Sequence, residues 1–187
     1  MPRFPSLEAL LAGCLRHEPA AQEGLNYHFE ARLLLVCLRY ARSRAEAEDL
    51  VQEAFIRIFQ RLDQYRGDGP LEAWVRRVTV NTCLDHYRAE VAGRHEVTLD
   101  EAHALSTDDA DAPTLLAGEE LIALIGRLPA IYRIVLNLYC IEGFSHREIG
   151  EQLGIDERTS SSQLSRARRL LAQQIRRAET INCHEHS

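Results

Sequence analysis

Six apolar residues between Val51 and Leu62 constrain this chain more than any other feature in it. Val51, Ala54, Phe55, Ile58, Phe59 and Leu62 fall at i, i+3, i+4, i+7, i+8 and i+11. That is the period of one helix face, and an alternating strand does not produce it. Asp49, Gln52, Glu53, Arg57 and Gln60 lie off the stripe. A helix with one apolar face must bury it against another element. Leu33, Leu34, Cys37 and Leu38, in a helix expected from about Ala20 to Arg42, offer that surface. The turn GDGP, Gly67 to Pro70, then punctuates the chain, with Pro70 suited to a first helical position. A third long helix is expected from Leu71 to Ala89, with Trp74, Val78 and Leu84 toward the core.

The C-terminal part repeats the helical habit with sharper end signals. LPAIYRIVLNLYCIEG reads as a helix closed by a left-handed Gly143. Ser145 and Glu148 have capping-box spacing. Ile149 and Leu153 face inward, Gly154 turns the chain and Ile155 plugs the turn. Asp156 is placed to cap a helix running through Leu171, with Leu164, Ala167, Leu171 and Ile175 inward. This is a helix-turn-helix pattern.

Between these parts the character changes. Residues 95–118 hold six acids and no arginine, whereas residues 1–94 carry 13 of each and residues 119–187 carry nine of each. The whole net charge of −6 therefore sits in one short segment. Within it, His95 to Pro113 has no helical period and is too long for an ordinary loop inside a compact domain. The expected fold is all-α: two small helical domains, 1–93 and 114–187, joined by a flexible acidic linker at 94–113.

All 22 basic residues are arginine. Without lysine there is no P-loop and no Schiff-base chemistry, and neither GxSxG nor HExxH occurs. The expectation is not an enzyme, and no cofactor is called for. Five cysteines at wide spacing form no CxxC pair, which fits reduced thiols. LLLVCL, Leu33 to Leu38, is the longest aliphatic run and falls well short of the ~20 residues a membrane span needs. Prolines interrupt MPRFPSLEALLAG where a signal peptide would be continuously apolar. The expected location is cytoplasmic, with no direct membrane insertion.

Two surfaces suit nucleic acid. The second helix of a helix-turn-helix enters the major groove by its N-terminal half. Here that half carries Arg158, Thr159, Ser160, Ser161, Ser162, Gln163 and Ser165, followed by Arg166, Arg168 and Arg169. Short polar groups read base edges, and arginines grip phosphates. The stretch YRGDGPLEAWVRRVTVNTCLDHYR interleaves aromatic and basic residues, including His86 and Tyr87. Aromatic faces stack on unpaired bases for ~1–3 kcal/mol each. Opening a duplex loses roughly 1.4 kcal/mol per step, so a few captured bases offset a few opened pairs.

AEDLVQEAFIRIFQRL (Ala47 to Leu62), YRGDGPLEAWVRRVTVNTCLDHYR (Tyr65 to Arg88) and the helix-turn-helix from Leu128 onward together resemble a bacterial RNA polymerase sigma factor of the extracytoplasmic function group, sigma-70 family. The resemblance covers roughly residues 7–175, with regions 2 and 4 in order. It implies a transcription initiation factor with core RNA polymerase, through the β′ coiled coil and β flap, and promoter DNA as partners. It further implies control by an anti-sigma factor and a stress or other signal as trigger. By resemblance, Asp49, Leu50, Gln52, Glu53, Phe55 and Arg57 bind polymerase, with Asp49, Gln52 and Glu53 as the polar contacts. Tyr65, Arg66, Gly67, Asp68, Trp74, Arg76, Arg77, Asn81 and Arg88 would recognise and melt the −10 element, with a flipped base read between the Gln64–Gly69 loop and Asn81. The helix beginning near Arg158 would read the −35 element, and the acidic linker would thread the polymerase's nucleic-acid path.

The sequence departs from the family at two places. Alanine often stands where Gly150 does; glycine fits but weakens the helix by up to ~1 kcal/mol. An apolar residue and a lysine often stand where Ser160 and Ser161 do. The tail INCHEHS carries Cys183, His184 and His186, a ligand set that softer metals accept. Two other readings stand beside the sigma factor: a stand-alone helix-turn-helix regulator, and a metal- or redox-responsive signalling protein acting through that tail.

Overall fold

The computed structural model describes residues 6–93 and 117–185, and side chains in the last helix up to residue 178. The expected linker and the side chains of Cys183, His184 and His186 lie outside the described residues. Among the described residues there are eight α-helices, one 3-10 turn and no strand. Contacts divide the chain between His86 and Tyr87 into two compact units.

The first unit is built on α2, Pro19–Leu38, which packs on both α1, Leu7–Leu15, and α3, Arg44–Gln60. Ser6 caps α1 by accepting from Ala9 N at 3.2 Å. Pro19 occupies the first turn of α2, where its missing N–H leaves no bond unmade. Ser43 caps α3 by accepting from Glu46 N. The α2 face Ala21, Leu25, Phe29, Leu33, Val36 and Cys37 packs with the α3 face Ala47, Leu50, Val51, Ala54, Phe55 and Ile58 in an apolar core. The apolar stripe from Val51 to Leu62 is thus buried, except that Phe59 is half-exposed and stacks on Phe55. After the 3-10 turn Leu62–Gln64 comes α4, Leu71–Gly93. Its buried Thr79 and Thr82 hydroxyls donate to the Val75 and Val78 carbonyls at 2.9 Å each. That satisfies two polar groups that would otherwise weaken the core.

Several boundaries differ from expectation for local reasons. The second helix stops at Leu38 rather than Arg42, because Ser43 starts a new capped helix five residues later. Pro70 is not inside α4 but directly before it. α4 continues four residues past Ala89.

The second unit comprises α5, Ala117–Gly126, α6, Ala130–Cys140, α7, His146–Leu153, and α8, Glu157–Glu185. α8 packs on α5, α6 and α7. Ile134, Val135, Leu138, Ile149, Leu164 and Ala167 form its core. Arg133 is buried, and its Nη1 donates to the carbonyls of Gly126 and Leu128, closing the end of α5. α6 ends at Cys140, so Gly143 is not its cap; it adopts the left-handed turn (φ 78°) that follows. The Ser145–Glu148 capping box forms as spaced, with Ser145 N donating to Glu148 Oε2 at 2.8 Å. Gly154 ends α7 in the left-handed region at φ 68°, ψ 31°.

Candidate polymerase and nucleic-acid interfaces

The outward side of α3 borders an open cleft of about 550 Å³ lined by Arg42, Ser43, Glu46, Asp49, Leu50, Glu53 and His86. Its carboxylates are not equivalent. Glu46 Oε2 accepts from Arg42 N at 2.6 Å, and its other oxygen lies 3.8 Å from His86 Nδ1. Glu53 pairs with Arg57 at 2.6 Å, and Arg57 reaches across to Asp85 of α4 at 2.5 Å. Burial works against the Arg57 charge. The hydrogen bonds and charges of Asp85 and Glu53 outweigh it and hold the guanidinium above its ordinary value. Asp49 is exposed and has no ion-pair partner among the described residues. Gln52 is likewise exposed.

Phe55 needs correction as a contact residue: it is 4% exposed and its side chain belongs to the core. Leu50 is 3% exposed, so it lines the cleft from the core side and offers it little surface. Arg57 is half-buried and spent on the α3–α4 tie. Asp49, Gln52 and Glu53 remain at the surface, joined by Arg42 and Glu46, which the sequence did not single out, and by His86, which the sequence placed with the nucleic-acid stretch instead. The Ser43–Glu46 pair, with capping-box spacing, was the available signal for Glu46. His86 reaches the cleft only through the packing of α4, which no local pattern reveals.

The loop before α4 is a small built platform. Tyr65 Oη donates to the Gly69 carbonyl at 2.6 Å, and its ring meets Trp74 with centroids 5.7 Å apart. Arg66, Gly67 and Asp68 stand exposed on that loop, and Gly67 adopts φ 78°. Trp74 is half-buried against Tyr65 rather than in the core. At 100° per residue Trp74, Arg77 and Asn81 fall within about 60° of arc on α4. Arg77 is exposed and Asn81 half-buried. Arg76 lies on another side of the helix, and Arg88, exposed, continues α4 beyond the first unit.

α8 opens with a strong cap. Asp156 accepts from Thr159 N at 2.8 Å and from Thr159 Oγ1 at 2.7 Å. Those bonds hold the Asp156 carboxyl below its usual value, as the Ser145 bonds do for Glu148. Beyond the cap, the helix sorts its polar residues by face. Arg158, Ser161, Ser162, Ser165 and Arg169 share an exposed arc of about 100°, flanked by exposed Arg166.

Ser160 does not belong to that arc and cannot read a base: it is wholly buried, hydrogen-bonded to His146 Nδ1 at 3.0 Å. Thr159 is committed to the cap and Gln163 is half-buried. Arg168 is exposed but held, its guanidinium 5.6 Å from the Tyr139 ring and 3.6 Å from Cys140 Sγ. Tyr139 in turn stacks on His146 at 4.5 Å. Gly150 is not a tolerated stand-in for alanine here. A Cβ on it would meet the Ile155 carbonyl oxygen at 2.6 Å, so the close approach of the turn demands glycine.

Residues 28–92 match the family model described as Sigma-70 region 2, and residues 118–171 match Sigma-70, region 4. The chain is 31% identical over 160 residues to the ECF RNA polymerase sigma factor SigW of Bacillus subtilis, covering 79% of this chain and 85% of SigW. The chain belongs to the extracytoplasmic function (ECF) group of sigma-70 factors.

Such a sigma factor directs RNA polymerase to promoters. This one is also 31% identical over 157 residues to the ECF RNA polymerase sigma factor SigE of Mycolicibacterium smegmatis, covering 82% of this chain and 60% of SigE's length. Among solved structures, the sigma factor RpoE in complex with the anti-sigma factor NepR from Bartonella quintana aligns at 21% identity with a TM-score of 0.49. That alignment covers 82% of this sigma factor and 96% of RpoE. Among the described residues no group of three or more His, Cys, Asp or Glu is placed to hold a metal ion, and no helix is long and apolar enough to cross a membrane.

Proposed function

We propose that this sigma factor docks on core RNA polymerase through the α3 cleft, melts and reads the −10 element with the Tyr65–Asn81 platform, and reads the −35 element with the outward arc of α8. Residues 1–93 would serve as region 2, 94–113 as the linker and 114–187 as region 4. The protein would work in the cytoplasm as part of a holoenzyme and catalyse nothing alone. One observation carries the reading. Matches to regions 2 and 4 occur in that order on one chain, and each brings an exposed surface of suitable chemistry.

The physical division of labour follows from the side chains. Asp49, beside Glu46 and Glu53, offers carboxylates to a basic protein surface. Tyr65 and Trp74 offer ring faces for unpaired bases, Arg66 and Arg77 offer charge along the strand, and Asn81 offers donors and an acceptor to a flipped base edge. Arg158, Arg166 and Arg169 would neutralise phosphates while Ser161, Ser162 and Ser165 face the groove. The β flap would be met by the second unit. An anti-sigma factor would silence the protein by covering the α3 cleft and the α8 arc together.

Size-exclusion chromatography of the protein with bacterial core RNA polymerase tests this directly. Co-elution, followed by run-off transcription from genomic fragments, is the expected result. Failure to co-elute, with duplex DNA bound by the protein alone, would overturn it in favour of a free-standing helix-turn-helix regulator. Asn81→Ala should change base preference within the −10 element in the same transcription assay. An unchanged preference would remove Asn81 from the base pocket.

A further inference from the structure

The first unit holds a pair of thiols that docking and DNA reading do not use. Cys37 of α2 and Cys83 of α4 are 46 residues apart in sequence, yet their sulfurs are 3.9 Å apart in the core. They are 0% and 3% exposed, and both are free thiols. Cys14 is also buried and free, while Cys140 is exposed in the second unit. Two sulfurs already in van der Waals contact need to approach by only about 2 Å to reach an S–S bond of ~2.05 Å. Residues on two separate helices meet this closely only because the helices are packed. The pairing is therefore a property of the folded state.

We propose that Cys37 and Cys83 form an oxidisable dithiol, which a hydroperoxide converts into a disulfide joining α2 to α4 in the folded protein. One thiol loses its proton and attacks a peroxide oxygen. The O–O bond breaks, hydroxide leaves and takes up that proton as water, and a sulfenic acid remains. The second thiol, deprotonated in turn, attacks the sulfenic sulfur. The S–O bond breaks, and its oxygen leaves as a second water with that proton. Two thiols are oxidised, and one hydrogen peroxide is reduced to two waters.

The same surroundings that pair the sulfurs also make the reaction slow. Contact with Cys37 and burial push the Cys83 thiol well above its ordinary range, so it holds its proton in the closed core. Oxidation therefore waits on local opening of α2 from α4. Once formed, the bond is buried from reductants in its turn. The result is a record of prolonged oxidant exposure rather than a fast sensor. The bridge closes a long loop of the unfolded chain, so its main physical effect is to stabilise the first unit.

The test uses the full chain carrying Cys140→Ser and Cys183→Ser, which removes thiols outside the first unit. Treatment with hydrogen peroxide should yield a monomer about 2 Da lighter. Its non-reduced peptide map should join the Cys37 and Cys83 peptides. The melting temperature should rise on the order of 10 °C and fall back after reduction under denaturing conditions. Mild urea, below the unfolding transition, should speed bond formation ~10-fold or more by raising the open population. Cys37→Ser and, independently, Cys83→Ala should each abolish the rise, with circular dichroism confirming that the variant is folded. Recovery of both thiols as free and alkylatable after peroxide would overturn the proposal. So would a Cys14 bridge, or the same mixture of pairings that peroxide produces in the unfolded chain.

Discussion

The α3 cleft and the α8 arc are both polar surfaces, but their charges are managed in opposite ways. Around the cleft the charged groups are tied to one another: Arg42 with Glu46, and Glu53 with Arg57 and on to Asp85. Asp49 stands outside these ties. On α8, Arg158, Arg166 and Arg169 have no ion-pair partner among the described residues and lie in solvent. The first arrangement suits a partner of fixed shape, because its geometry exists before binding. The second suits the phosphate backbone, where mobile solvated arginines displace counterions and no single geometry is needed.

Substitutions should separate the two. The largest effect belongs to Asp49→Arg, which should remove co-elution with core polymerase while leaving the melting temperature within a degree or two of the parent. Glu53→Arg should also lose binding but cost stability, because it places a like charge beside Arg57 and strips that residue of a partner. Equal melting temperatures for the two variants would break the distinction between free and tied carboxylates.

Gly150→Ala comes next. Helix propensity alone says that alanine should stabilise α7 by up to ~1 kcal/mol. The 2.6 Å approach to the Ile155 carbonyl says instead that the second unit should lose on the order of 1–3 kcal/mol in denaturant titrations. A gain in stability would show that the turn relaxes easily around an added Cβ.

Smaller still are the effects of single arginines. Arg158→Ala or Arg169→Ala should each lower the salt slope of −35 duplex binding by about 1, across sequences. Arg57→Ala should leave that slope alone and cost about 1 kcal/mol of first-unit stability instead. A salt slope that Arg57 changes and Arg169 does not would invert the comparison.

The smallest effect is a pH dependence confined to the second unit. The Asp156 and Glu148 carboxyls are held below their usual values in the folded state by bonds from Thr159 and Ser145. Groups depressed in this way contribute stability above their unfolded values, near pH 4, and lose it as pH falls through the lower folded values. Acid titration of the melting temperature should show this loss below about pH 4. Asp156→Asn should flatten its share, and an unchanged profile would leave that cap without a part in acid stability.

The amino-acid sequence determined whatever depends on residues within one helical turn of each other. The α3 stripe, the Ser145–Glu148 box, the left-handed Gly154 and the Asp156 cap are all i to i+4 relations, and the side chains alone decide them. The all-α class and the helix-turn-helix followed from the same local rules, as did the exposure of Asp49 and Gln52.

Only the tertiary structure decided what depends on residues brought together from afar. Ser160 sits among serines that look alike in sequence, and it is buried only because His146 of α7 reaches it. Arg57 looks like a surface residue until α4 delivers Asp85 to it. Phe55 lies within the docking motif but is buried in the core. Gly150 looks replaceable until the turn folds Ile155 back against it, and Cys37 meets Cys83 only when α2 and α4 pack. Local periodicity assigns a residue to a face of its own helix. What stands opposite that face is set by packing between helices, and a single helix carries no record of its neighbour.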